Sequence, residues 1–156
     1  MATKLTLKEV LQAAIEKEIA AQQLYGDLQR IITSEIAKDA FQELVRQERG
    51  HQQLLERYLR GELKSGALRA GQVIDYKITE SFEPTEIYPN MPLKDIFLRA
   101  ANREKIAHAS YLALSQAHPA GEVKTLFEDL ASQELSHKHK LELLYTEVAF
   151  PQTAGG

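Results

Sequence analysis

Two stretches decide the fold: Phe41-Gln42-Glu43-Leu44-Val45-Arg46-Gln47-Glu48-Arg49-Gly50-His51 and Phe127-Glu128-Asp129-Leu130-Ala131-Ser132-Gln133-Glu134-Leu135-Ser136-His137. Both read F-x-x-L-x-x-Q-E-x-x-H, and every position of the second lies 86 residues after its mate, from 48 to 134 and from 51 to 137. On a helix, residues three apart share a face, so Glu and His of each Glu-x-x-His point the same way. Phe, Leu, Gln and Glu recur at the spacing of one helical stripe, which makes that face the inward one.

Upstream of each stretch stands one Glu followed seven residues later by Tyr: Glu18 with Tyr25, then Glu104 with Tyr111, again 86 residues apart. The repeat continues beyond these residues, since Leu7-Lys8-Glu9-Val10-Leu11 matches Leu93-Lys94-Asp95-Ile96-Phe97, and Leu55 matches Leu141. The chain is therefore two helical hairpins of one design, related by a pseudo-twofold axis. Four inward carboxylates are prohibitive without cations, because each desolvated ion costs several kcal/mol. Two divalent ions cancel four glutamates when the imidazoles are neutral. The candidate ligands are Glu18, Glu48, His51, Glu104, Glu134 and His137. A Glu from each of two helices and a Glu-x-x-His from each of the others is the ligand set of ferritin-like di-iron and di-manganese proteins. Oxygen and imidazole donors suit two iron ions, with manganese or zinc as substitutes. Ions in such a pair sit roughly 3.5–4 Å apart. A lone Glu-x-x-His on a helix is usually a solvated pair. Two of them, each in a matching apolar frame and each with its Glu-x₆-Tyr helix, are not explained that way.

The 3.6-residue period predicts helices over about Leu7–Ile32, Glu35–Leu59, Pro92–Ala117 and Glu122–Val148. In the first, Leu7, Val10, Leu11, Ala14, Ile15, Glu18, Ala21, Gln22 and Tyr25 form the inward stripe. Thr6 with Glu9 matches a capping box, Gly61 closes the second helix, and Pro92 suits a first helical position. The chain then reads as one domain over residues 1–150, with hairpins at about 5–60 and 91–148 and a flexible tail at 151–156. The fold expected is an all-α, ferritin-like antiparallel four-helix bundle with one long crossover, residues 61–90, between helices two and three. Val73, Ile74, Tyr76, Ile78, Phe82, Ile87 and Tyr88 give that crossover apolar residues to pack on the bundle or on a partner.

At 156 residues the chain can bury a core without a disulfide or structural zinc. It contains no cysteine, which excludes disulfides, thiolate catalysis, cysteine-ligated iron–sulfur clusters and rubredoxin-type iron within this sequence. A net charge of −3 gives no reason to expect nucleic acid or an anionic membrane. No apolar run approaches the ~18 residues of a membrane span, and the N-terminus lacks a signal-peptide core, so a cytoplasmic protein is expected.

Around the ligands, Tyr25 and Tyr111 share the inward face two turns beyond Glu18 and Glu104. They read either as donors to ligand carboxylates or as core tyrosines with satisfied hydroxyls. Ligating imidazoles need an acceptor for their second N–H, and Gln133 is assigned to His51 and Gln47 to His137. His108, one turn after Glu104, has Gln22 as its mate and is given a supporting or polar role. His118 and His139 read as loop and surface residues.

With F-x-x-L-x-x-Q-E-x-x-H twice, the chain resembles the rubrerythrin branch of the ferritin-like superfamily over roughly residues 5–148. The resemblance implies that Glu48 and Glu134 bridge two iron ions. Glu18 and His51 then complete one site, and Glu104 and His137 the other. It also implies reduction of hydrogen peroxide to water at the reduced centre, ligand contacts from Tyr25 and Tyr111, and a homodimer. Two departures stand out. Rubrerythrins typically carry a rubredoxin domain with four cysteines, so turnover here needs an external electron donor, rubredoxin-like or a flavoprotein. At the position of an additional third-helix glutamate of the family stands Ala101. Peroxide reduction, with oxygen as the other oxidant, is the leading expectation. Iron storage by a ferroxidase and a quinone-modifying hydroxylase are the alternatives.

Overall fold

The structure is a computed structural model, and it describes residues 6–62 and 86–151. Four helices account for most of them: α1 (Leu7–Ile31), α2 (Glu35–Leu59), α3 (Leu93–Gln116) and α4 (Glu122–Ala149). No strand occurs among the described residues. The chain divides into two compact units, Met1–Ala67 with α1 and α2, and Leu68–Gly156 with α3 and α4.

In the first hairpin Thr6 caps α1, its hydroxyl accepting the Glu9 N–H at 3.2 Å, as the capping box requires. Ser34 caps α2 the same way, accepting from the Ala37 N–H at 3.3 Å. Between the two helices lie only Ile32, Thr33 and Ser34, a connection short enough to turn α2 back along α1. The antiparallel register shows in the cross-helix contacts. The Gln29 amide donates to the Lys38 carbonyl near the turn. The Tyr25 and Phe41 rings lie 5.8 Å apart further along, and the Gln22 amide donates to Gln52 Oε1 at 2.7 Å beyond them. Leu11, Ala14, Ile15, Ala21 and Leu28 are buried along α1, and Ala37, Phe41, Leu44 and Leu55 along α2. Leu7, placed on the inward stripe by periodicity, is instead exposed, because it lies at the first helical residue where the stripe begins.

Gly61 ends α2 at φ +74°, with its N–H on the Tyr58 carbonyl and the Glu62 N–H on the Arg57 carbonyl. This pair of bonds is the Schellman closure, which needs the left-handed backbone that glycine adopts most easily. Just beyond, the Arg60 guanidinium hydrogen-bonds the Glu62 carboxylate, holding that carboxyl below and the guanidinium above their ordinary values. The pair is exposed and contributes little to stability.

The second hairpin repeats the register of the first. Tyr111 and Phe127, the mates of Tyr25 and Phe41, stack with centroids 6.2 Å apart. His108 Nδ1 donates to the Ala131 carbonyl at 2.8 Å, and Lys124 Nζ donates to the Ser115 carbonyl at 3.0 Å. Ile96, Phe97, Leu126, Phe127, Leu130 and Leu141 form its buried core. Pro92 stands at the N-cap rather than inside the helix, its carbonyl accepting from Asp95 and Ile96. Its extended ψ of 143° carries no helical turn, and Leu93 becomes the first helical residue.

Of the expected crossover, Ile87 is half-buried and Tyr88 is exposed rather than packed. Val73, Ile74, Tyr76, Ile78 and Phe82 lie outside the described residues, as does the tail beyond Pro151. No helix among the described residues is long and apolar enough to cross a membrane.

Candidate metal centre

Each hairpin brings together three of the six residues expected as ligands. In the first, α1 supplies Glu18 and α2 supplies Glu48 and His51, and one donor atom of each lies within 4.8 Å of the others. His51 Nδ1 is 3.4 Å from Glu48 Oε2 and 3.7 Å from Glu18 Oε2. In the second, α3 supplies Glu104 and α4 supplies Glu134 and His137, gathered as tightly. His137 Nδ1 is 3.6 Å from Glu134 Oε1 and 3.7 Å from Glu104 Oε1. All six are buried. The two trios are thus alike in composition and in distance, as the 86-residue repeat requires.

Those distances bear on what the trios can hold. Two donors bound about 2.1 Å from one ion at tetrahedral to octahedral angles are separated by about 3–3.5 Å. Carboxylate–imidazole separations of 3.4–3.7 Å leave room for such an ion with small adjustment. Each trio carries −2 with its imidazole neutral, the charge one divalent ion offsets. Buried carboxylates grouped this closely are unfavourable with no cation to share. The residues present therefore fit a metal ion at each trio, with oxygen and nitrogen donors suited to iron, manganese or zinc.

Around the trios, Tyr25 and Tyr111 are buried, each against its phenylalanine. Gln47 is half-buried and donates to Glu43 Oε1 on its own helix at 3.1 Å, and Gln133 is half-buried. His118 is more than a loop residue. Its Nδ1 donates to the Leu114 carbonyl and its ring packs 5.5 Å from that of Phe127. His139, read as a surface residue, is half-buried. Ala101 is buried beside Ala100 on α3.

Two features went unseen in the sequence. Arg103 sends its guanidinium to the second trio, with Nη1 2.5 Å from Glu134 Oε2 and 3.4 Å from Glu104 Oε2. Its side chain is only 12% exposed. Lys138 and Glu142, one turn apart on α4, are buried together with Nζ 3.3 Å from the carboxylate. Both cations follow or precede a ligand by one residue, where a charged side chain ordinarily reads as solvated.

The rubrerythrin family model matches residues 9–145. The chain belongs to the rubrerythrin family. As a rubrerythrin-family chain it has the all-α, ferritin-like four-helix fold that its sequence predicts. It is similar to the solved structure of a hypothetical protein from Pyrococcus furiosus, at 25% identity and a TM-score of 0.68. That likeness covers 96% of this chain and 94% of the other. No curated protein matches. Membership and the buried carboxylate–histidine trios together point to a site for two metal ions in this rubrerythrin-family protein.

Proposed function

We propose that the two trios jointly hold a pair of iron ions, and that the protein reduces hydrogen peroxide there with electrons from a separate donor protein. The observation that carries this reading is the matched pair of buried Glu₂His trios in a chain of the rubrerythrin family. Reduced di-iron, when bound, supplies two electrons and a place for both peroxide oxygens. With two protons the balance is H2O2 + 2e⁻ + 2H⁺ → 2H2O.

The chain's own residues have three tasks. Glu18, Glu48, His51, Glu104, Glu134 and His137 would hold the pair, with Glu48 and Glu134 as the ligands shared by both ions and the other four each serving one. Tyr25 and Tyr111 donate to ligand carboxylates and fix their orientation. Gln133 and Gln47 accept the second N–H of His51 and His137, which sets the imidazole tautomer that leaves Nδ1 free to ligate. Burial of all six ligands keeps bulk water from the reacting oxygens and strengthens every charge interaction within the site. With no cysteine in the sequence, the electrons come from outside it, from a rubredoxin-like protein or a flavoprotein. The proposed setting is a cytoplasmic homodimer.

The test is to load the protein anaerobically with two Fe(II) per chain and compare its oxidation by hydrogen peroxide and by oxygen. Oxidation much faster with peroxide, at one peroxide per pair of irons, is the expected result. Faster oxidation by oxygen overturns the peroxidase reading in favour of ferroxidase chemistry, and assembly into a cage would then identify a storage protein.

A further inference from the structure

One seam of the second hairpin joins the candidate centre to a positively charged surface. Along α3, Arg99, Arg103 and Ile106 recur at the spacing of a single stripe. Arg103 leans from that stripe onto α4, with Nη1 2.5 Å from Glu134 Oε2. His108 leaves α3 from a different face and meets α4 at the Ala131 carbonyl. The stripe of α4 turned away from Ala131 holds Gln133, Ser136 and Lys140, and it borders the seam on which Arg103 lies. With Arg103 paired to Glu134 in antiparallel helices, Arg99 falls opposite the turn that ends at Lys140.

Three cations thus gather here, and neither Arg99 nor Lys140 has an ion-pair partner among the described residues. Asp95 and Asp129 stand one turn beyond the two ends of the seam. Ile106, one turn from Arg103, is 54% exposed and gives the seam an apolar point. The corresponding residues of the first hairpin are Ala13, Lys17 and Ala20 with Gln47, Gly50 and Leu54, among which Lys17 is the one cation. On a chain of net charge −3, the cluster is a local reversal of sign. Arg103 also connects this surface to the centre. Its side chain is 12% exposed, and its guanidinium touches Glu134, a proposed ligand of both ions. The four ligand glutamates have no exposed surface of their own. A carrier seated on the seam has one side chain between itself and a metal ligand, and electron tunnelling falls off steeply with distance.

We infer that the seam around Arg99, Arg103 and Lys140 docks the electron donor, and that the donor is a small one-electron carrier with an acidic surface. This rests on the reading that the protein takes electrons from a separate donor protein. Electron-transfer encounters bury less than about 1,200 Å², so a short seam with clustered cations and an apolar point is enough. Each encounter passes one electron and leaves the carrier oxidised. Two encounters supply the two electrons that break the O–O bond in H2O2 + 2e⁻ + 2H⁺ → 2H2O. The cations steer an acidic partner to the seam, and salt screens that attraction.

Reduced rubredoxin of acidic surface is the probe. In anaerobic stopped flow it is expected to reduce the iron-loaded, oxidised protein at a second-order rate that falls about tenfold from low to high salt. Arg99→Glu combined with Lys140→Glu should slow that rate by about tenfold at low salt and flatten its salt dependence. Iron content and oxidation of the reduced protein by hydrogen peroxide should stay at wild-type values. Lys8→Glu, at an exposed lysine of α1, should reduce at the wild-type rate. In ¹⁵N spectra of the zinc-loaded protein, zinc-substituted rubredoxin should shift the signals of Arg99, Arg103, Ser136 and Lys140. Arg99→Gln with Lys140→Gln serves if the charge reversal does not fold, and should slow reduction about threefold. An unchanged rate in both double variants, shifts confined to other residues, or no reduction of the wild type by rubredoxin overturns the inference. Dissociation of a dimer in the double variants, seen by analytical ultracentrifugation, would show a second copy on the seam and overturns it too. Reduction through the seam without oxidation by peroxide overturns the peroxidase reading and leaves the docking site standing.

Discussion

At the scale of single residues, the candidate centre is a balance of charge. Six buried donors would be a heavy electrostatic load in a fold that had no use for them, since isolated buried ions cost several kcal/mol each. Glu48 and Glu134 occupy equivalent places in the repeat, each with a carboxylate oxygen within 4.8 Å of one from Glu18 or Glu104 in its own hairpin. Replacing either with alanine removes one carboxylate from its trio and, on the proposed bridging role, a ligand from both ions. Glu48→Ala and Glu134→Ala are each expected to lose the second metal ion entirely and to hold the first at least tenfold more weakly, measured by equilibrium dialysis with metal analysis. Two ions still held tightly by either variant would refute the bridging assignment. That these six residues gather as buried trios was legible because each recurs at one fixed step in a periodic frame. Arg103 was not, because an arginine beside a ligand on a helix has the sequence appearance of a solvated side chain. Only the three-dimensional course of its side chain separates it from Lys17.

At the scale of the elements, the helices follow from signals that are local in the chain. Thr6, Ser34 and Gly61 mark ends by hydrogen bonds that involve only neighbouring residues, and the observed bounds lie within a residue of those expected. The likeness of the two hairpins was legible in the 86-residue step, and the structure adds that Tyr25 meets Phe41 and Tyr111 meets Phe127 at equivalent places. Departures fall where the repeat itself breaks. Gln22 and Gln52 hydrogen-bond across the first hairpin, but their mates are His108 and Lys138. His108 turns to the Ala131 carbonyl and Lys138 to Glu142, an arrangement no periodicity specifies. Two glycines test the local argument. Gly50 is helical, exposed, and has nothing within 4 Å of an added Cβ, so Gly50→Ala is expected to stabilise the protein by about 0.5–1 kcal/mol. Gly61 also has open space, but its φ of +74° penalises any L side chain, so Gly61→Ala is expected to destabilise by about 1 kcal/mol. Urea denaturation of the two variants beside the wild type gives both values. The same sign for both would mean that the backbone at Gly61 does not set the end of α2.

At the scale of the whole molecule, metal and folding should be coupled. Neither trio exists in an unfolded chain, where Glu18 and Glu48, or Glu104 and Glu134, are thirty residues apart. An ion that binds the native state alone stabilises it by RT ln(1 + [L]/Kd), about 2.7 kcal/mol per site at a hundredfold excess over Kd. For a chain of this length 1 kcal/mol corresponds to roughly 2–4 °C, so one site filled to that degree raises Tm by roughly 5–10 °C. The increase in Tm should saturate at two equivalents of metal per chain, because the proposed centre holds a pair of ions and Glu48 and Glu134 serve both. Differential scanning calorimetry under anaerobic Fe(II), with a chelator-treated sample as reference, measures the increase and where it saturates. Coincident melting curves with Fe(II) and with chelator would rule out a buried metal site, and saturation at a single equivalent would refute the pair.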